Sequence, residues 1–248
     1  MAAAARIGRT RAGSIAERLA ALDWPAIEAS LWERGFAATP RVLSRAECAD
    51  LIALYPDDAR FRKTVDMERH RFGVGSYRYF RDPLPPLVQS LRRHAYRRLA
   101  PIANAMERAL GRPERFPAQL PALRALCRQH GQPLPTPLLL RYGAGGYNCL
   151  HSDLYGPLVF PLQLACFLSQ PGRDYRGGAF LLVEQRPRSQ SVGEALFPGE
   201  GELVIFATAE RPARGARGFH RTRMRHGVAR VGAGRRYTLG VIFHDARS

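Results

Sequence analysis

Hydrophobic positions follow two regimes along the chain. As far as Gln132 the apolar side chains recur every three to four residues, and beyond Pro137 they gather into short dense runs. Within 15–37, Ile15, Leu19, Leu22, Ile27, Leu31 and Trp32 form one apolar stripe, broken where Pro25 opens a second segment and ended near Gly35. Ser44-Arg45-Ala46-Glu47 has the form of a capping box, which predicts a helix from Arg45 to Tyr55 stopped by Pro56. Pro85-Pro86 opens a third pattern, with Leu87, Leu91, Ala95, Leu99, Ile102 and Met106 at helical spacing up to Gly111. The segment 15–135 is therefore expected to be mostly helical and to support the remainder of the chain.

After Pro137 the runs 138–142, 158–168, 179–184, 202–207 and 236–243 are rich in Leu, Val, Ile and Phe and are separated by Gly, Pro and Asp. Short strands without intervening helices imply an antiparallel jelly-roll core over 136–248, a cup whose mouth can hold a metal and a small ligand. The expected class is α+β with a mainly β core. The Arg/Gly/Pro-rich stretch 211–221 reads as a mobile loop. Residues 1–14 carry Arg6, Arg9 and Arg11 with no acid before Glu17, and read as a basic tail; 15–248 reads as one domain.

Charge changes this picture. Formal net charge is +17, with 38 basic side chains against 21 acidic ones. Lys63 is the only lysine, a bias toward arginine that composition explains, but the excess of cations over anions favours an anionic partner such as nucleic acid. No stretch approaches the ~18 apolar residues of a membrane helix, and the first residues lack a secretory apolar core, so the expected location is cytoplasmic. Cys48, Cys127, Cys149 and Cys166 form no C-x-x-C pair, which fits reduced thiols and no zinc ribbon. Nothing indicates a protein partner.

The sharpest chemical signal is His151-Ser152-Asp153, just after a glycine turn at Gly143, Gly145 and Gly146. Alternation along an extended chain puts His151 and Asp153 on one face, where both reach one cation. A third ligand must come from His220, His226 or His244. Of these only His226 is followed, ten positions on, by an arginine on a later strand, Arg236. Two histidines and a carboxylate on one triangular face leave three positions open, which suits iron(II) binding a bidentate 2-oxo acid and dioxygen. Arg236 can then clasp the distal carboxylate of 2-oxoglutarate, with Thr238 on the same face donating a further hydrogen bond. Tyr147 and Asn148 precede His151, and Asn148 is a candidate co-substrate contact; a turn role is the alternative.

H-S-D, a distal histidine in R-H-G-V and R-x-T on the closing strand resemble the 2-oxoglutarate/iron(II) oxygenase superfamily. Arg141-Tyr142-Gly143-Ala144-Gly145, Asn148-Cys149-Leu150-His151, Asp153-Leu154-Tyr155-Gly156 and Gly240-Val241-Ile242-Phe243-His244-Asp245 further resemble a bacterial family described as oxygenases that demethylate damaged nucleic acid. The likeness spans about 24–246. It implies a double-stranded β-helix, iron(II), and oxidative loss of a methyl group as formaldehyde. The well-understood nucleic-acid dealkylases place the co-substrate arginine farther from the distal histidine and add a second arginine six residues later, where this chain has Ile242. The ten-residue spacing is more similar to prolyl hydroxylases, in which a tyrosine before H-x-D also touches 2-oxoglutarate; Tyr142 matches it. Hydroxylation of a protein side chain or free amino acid is thus the alternative activity, and a non-catalytic basic binding module a third.

Two surfaces are candidates for substrate. Tyr77-Arg78-Tyr79-Phe80-Arg81 alternates rings and cations, as a nucleobase-stacking lid or as an ordinary strand with buried rings and solvated arginines. Arg211, Arg214, Arg217, Arg221, Arg223 and Arg225 form a second basic cluster beside His226.

Overall fold

The computed structural model describes residues 13–216 and 218–247. The expected tail therefore lies almost wholly outside the described residues, as does Arg217. Five α-helices occur among them: α1 (Ile15–Ala20), α2 (Trp24–Arg34), α3 (Arg45–Ala53), α4 (Pro86–Ala109) and α5 (Leu120–Gln129). The capping boxes are the reason α1 and α3 begin where they do. Ser44 accepts from the Glu47 amide while Glu47 reaches back to the Ser44 amide, and Ser14 and Glu17 repeat the arrangement. Gly35 ends α2 at φ 79°, a conformation open to glycine at little cost. The α5 helix has no strong start signal in the sequence and is not expected from it.

The strands are β1 (Phe36–Ala38), β2 (Phe61–Asp66), β3 (Gly73–Val74), β4 (Ser76–Phe80), β5 (Leu138–Tyr142), β6 (Tyr147–His151), β7 (Leu162–Phe167), β8 (Tyr175–Gly177), β9 (Phe180–Gln185), β10 (Val192–Leu196), β11 (Leu203–Ala207), β12 (Glu210–Gly215), β13 (Gly218–Val228), β14 (Val231–Gly234) and β15 (Arg236–Val241). A seven-stranded sheet runs β1-β11-β7-β15-β5-β4-β2, and a six-stranded one runs β10-β9-β13-β6-β3 with β12 beside β13. The strand ladders of both are antiparallel.

Alternation decides what each strand offers to either side. Leu239 and Val241 of β15, Leu162, Leu164 and Cys166 of β7, and Leu203 and Ile205 of β11 join one core with the helices. Their neighbours Ala165, Phe167, Val204 and Phe206 pack instead on Phe180 and Leu182 of the other sheet. The two sheets thus face each other, and Arg236 and Thr238 point between them with a cavity alongside.

Two expectations are corrected. The N-terminal half is not helical throughout: β1, β2 and β4 belong to the larger sheet, where Phe61, Val65, Tyr79 and Phe80 are buried. The stretch 211–221 is not a loop but a hairpin, β12 on β13 from Glu210↔Arg223 to Gly215↔Gly218. Its composition hid a buried anchor: Arg211 is 1% exposed, pairs with Glu184 at 2.5 Å, and donates to the carbonyls of Trp32 and Glu33 at 2.9 Å each.

Candidate active site

The cavity between the sheets measures about 390 Å³. His151 ends β6 and His226 sits near the end of β13, and the two residues are direct cross-strand partners. Gly227 makes that approach possible, since a β-carbon there would stand 2.7 Å from the Asn148 carbonyl oxygen. Asp153 follows two residues after His151. One ligand atom from each of the three lies within 4.8 Å of the others. His226 Nε2 stands 3.3 Å from Asp153 Oδ2, and His151 Nε2 stands 3.5 Å from Asp153 Oδ1. Of the three downstream histidines, His226 alone joins this group: His220 lies on the hairpin, and His244 is buried, accepting from the Phe160 amide at 3.1 Å.

The electrostatics favour the protonation states a metal needs. Burial pushes the Asp153 carboxyl up, but the hydrogen bond and charge of His226, aided by His151 and the Tyr155 hydroxyl, outweigh it and hold the group well below the usual carboxylate range. Burial lowers His226, against the pull of Asp153, so its imidazole stays neutral. His151 Nδ1 lies 2.8 Å from the Cys149 carbonyl oxygen, which can only accept; in the neutral ring the proton sits there and Nε2 is free to ligate. A carboxylate and two imidazoles on one face could hold a divalent cation such as iron(II).

Arg236 lies deeper. It is 1% exposed, its Nη1 donates to Thr238 Oγ1 at 2.8 Å, and its Nε and Nη2 have no partner. No carboxylate pairs with it among the described residues; the rings of Tyr142, Phe167 and Tyr175 surround it with centroids 5.3–5.9 Å from Cζ. Burial accordingly lowers its pKa. The Tyr142 hydroxyl is likewise buried without a partner, and Asn148 lines the same cavity. A buried cation with two idle donors beside an idle hydroxyl fits one carboxylate of a dianionic 2-oxo acid.

The other candidates divide. Tyr77 lines the cavity, but Arg78 is buried and tied to Asp58, Thr64 and the Tyr55 carbonyl, so the 77–81 segment is a strand whose central arginine is structural. Arg211 is structural too, whereas Arg214, Arg223 and Arg225 are exposed along the hairpin. Two neighbours were missed. Tyr155 donates to Asp153 Oδ1 at 2.6 Å, and Gln163 puts Nε2 3.2 Å from His226 Nε2 while its Oε1 has no partner. Gln163 was legible as the polar odd position between Leu162 and Leu164.

A family model described as "Oxygenase, catalysing oxidative methylation of damaged DNA" matches residues 75–246. The chain belongs to this family. An uncharacterized Mycobacterium tuberculosis protein (strain H37Rv) is 43% identical to this oxygenase over 192 residues, covering 75% of this chain and 82% of the relative. Among solved structures, a Pseudomonas putida prolyl-4-hydroxylase is 14% identical with TM-score 0.53, covering 91% of this chain and all of that one. A 2-oxoglutarate/iron(II) oxygenase-family oxidoreductase from Burkholderia pseudomallei is 17% identical with TM-score 0.52, covering 96% of each chain. At these identities the structures speak for the fold, which is the jelly roll of that superfamily. Family and fold together make the chain an enzyme of the 2-oxoglutarate/iron(II) superfamily, whose cofactors are iron(II), 2-oxoglutarate and dioxygen. No described helix is long and apolar enough to cross a membrane.

Proposed function

We propose that this oxygenase removes methyl groups oxidatively from alkylated nucleic-acid bases, with His151, Asp153 and His226 holding iron(II). Arg236, Thr238, Tyr142 and Asn148 hold the 2-oxoglutarate. The single observation that carries the co-substrate reading is the buried Arg236 guanidinium, with two unpartnered nitrogens, in the cavity that the triad lines. Bound iron supplies the activation of dioxygen, coupled to conversion of 2-oxoglutarate into succinate and carbon dioxide. The chain's own residues do the rest. Tyr155 holds Asp153 Oδ1, the Cys149 carbonyl sets the His151 tautomer, and Phe180 and Phe206 keep that side of the cavity apolar. The family description speaks of oxidative methylation. Inserting oxygen into a methyl C–H bond gives a hydroxymethyl group that is lost as formaldehyde, so the direction proposed here is removal. The exposed arginines of the hairpin, in a chain of net charge +17, support an anionic substrate.

Residues 15–248 act as one oxygenase domain in this reading, and the helices back the larger sheet. The second reading is hydroxylation of a protein side chain or amino acid, favoured by the ten-residue spacing from His226 to Arg236 and by Ile242 where dealkylases carry a second arginine. Succinate and formaldehyde are measured with methylated oligonucleotides and, separately, with proline-containing peptides. Formaldehyde with the oligonucleotide alone is the expected result. Succinate release driven only by peptides overturns demethylation, and retention of iron and turnover in both His151→Ala and Asp153→Ala overturns the ligand assignment.

A further inference from the structure

A groove between α4 and α5 shares no lining residue with the active cavity. It has a volume of about 480 Å³, and Arg92, Arg93, Arg124 and Arg128 all line it. Carboxylates answer only part of this charge. Arg92 and Arg124 share Asp245, and Arg124 also reaches Asp82, while Arg93 and Arg128 are exposed with no ion-pair partner among the described residues. Arg92 forms the floor: its side chain is 1% exposed, and its Nη1 has no hydrogen-bond partner. A buried guanidinium nitrogen left idle inside a cationic cluster is costly unless an acceptor can approach.

Both helices also begin at this groove. The α4 helix starts at Pro86, between the lining residues Leu84 and Gln89, and α5 starts at Leu120, which lines the groove itself. Neither Pro85 nor Gln119 caps its helix with a side chain, and neither first turn contains an acid. Pro86 and Pro121 carry no N–H, and the Ala122 and Leu123 amides donate to the Gln119 carbonyl, so what each helix offers the groove is chiefly the positive end of its dipole, with no acid to neutralise it. Arginine forks and helix N-termini share one preferred ligand, a phosphate.

The geometry points to a phosphate-binding groove between α4 and α5, taking the phosphate of a free phosphoester such as a nucleotide or of a nucleic-acid backbone. The groove floor is joined to the active site by one stretch of chain. Arg92 donates to the Ile242 carbonyl at 3.0 Å and the Phe243 carbonyl at 2.7 Å, and Ile242 also lines the active cavity. The inference stands independently of the proposed methyl-removing reaction, since neither the triad nor Arg236 enters it.

The test is thermal unfolding of the full-length protein in rising sodium pyrophosphate at constant ionic strength. Wild type is compared with Arg93→Gln/Arg128→Gln and with Lys63→Gln/Arg176→Gln, which removes the same charge from exposed positions elsewhere. All four side chains are exposed, so folding is spared. Arg236 is intact throughout, so anion entry into the active cavity is common to all three proteins. Wild type and the control pair are expected to show a saturable rise in Tm, with the half-saturating concentration at least about tenfold higher in the groove variant. Equal curves for the groove variant and wild type, or no rise in wild type, overturn the proposal. A second arm follows the anisotropy of a fluorescein-labelled unmodified oligonucleotide. Weakening of about tenfold in the groove variant but not the control assigns the phosphate to a nucleic-acid backbone; unchanged binding, with the pyrophosphate effect retained, assigns it to a free phosphoester.

Discussion

The strand β15 and the residues just after it have two ends built on opposite principles. At the Arg236 end, a buried cation and a neighbouring tyrosine hydroxyl keep unpartnered polar atoms facing a cavity. At the 242–245 end most polar atoms are taken, Arg92 Nη1 and His244 Nε2 excepted. Arg92 holds Ile242, Phe243 and Asp245; Thr136 Oγ1 donates to the His244 carbonyl at 2.6 Å; and Gln132 Nε2 donates to the Asp245 carbonyl at 2.6 Å. The same residue type, arginine, is charge-paired at one end and without a counter-charge at the other. What separates them is the presence of a carboxylate: Asp245 is fully buried beside Arg92, and Arg236 has none among the described residues. Unpaired buried charge in a folded chain marks where a ligand completes the structure.

The largest effect expected from breaking this contrast is on stability. Arg92→Met removes the buried partner of the Asp245 carboxylate and leaves it only the half-buried Arg124, which should cost about 3 kcal/mol in urea unfolding. Arg236→Met should do the reverse, leaving Tm unchanged or raised while 2-oxoglutarate affinity, read by calorimetry, falls roughly a hundredfold. A loss of stability in that variant comparable to Arg92→Met would mean that Arg236 is a structural tie as well.

The closed end should also be acid-labile. Burial holds His244 down at about 4, below its ordinary 6.5. The unfolded chain then takes up this proton as pH drops below 6.5 while the folded chain does not, so stability is full above 6.5 and declines toward 4. Between pH 6.5 and 5 the decline is about 2 kcal/mol, before most carboxylates titrate, and His244→Gln should flatten that limb. The smallest effect is at the open end. Tyr155→Phe removes the hydroxyl that helps depress Asp153, so the acid loss of metal binding should begin at higher pH, with a stability change of about 1 kcal/mol or less. Titrating metal affinity against pH in the two proteins checks the direction.

The open end was the more legible in the sequence. His151 and Asp153 at strand spacing, and Arg236 and Thr238 on the last apolar run, follow from alternation, and the structure brings them with His226 and Tyr142 to one cavity. The runs at 138–142 and 202–207 became β5 and β11 almost residue for residue, because their apolar side chains are buried on both faces. The closed end was not legible. The expected strand to 243 stops at Val241, since the carbonyls beyond it are claimed by Arg92, Thr136 and Gln132 rather than by a neighbouring strand. Those partners lie more than a hundred positions away, as Arg211 lies 27 from Glu184, and composition carries no trace of such pairing. Arg211 and Arg78 looked like solvated cations for this reason.

The place of β15 in the sheet bears on how the molecule is made. It is last in chain order among the described strands, yet it sits in the middle of the seven, between β7 and β5. While the ribosome is still short of residue 236, β5 and β7 each have an apolar edge with nothing to pair. Assembly then depends on a late insertion between two waiting neighbours, a slow, high-contact-order step. A nascent chain stalled there is an aggregation hazard, and chaperone dependence during synthesis should be set by the arrival of this one strand.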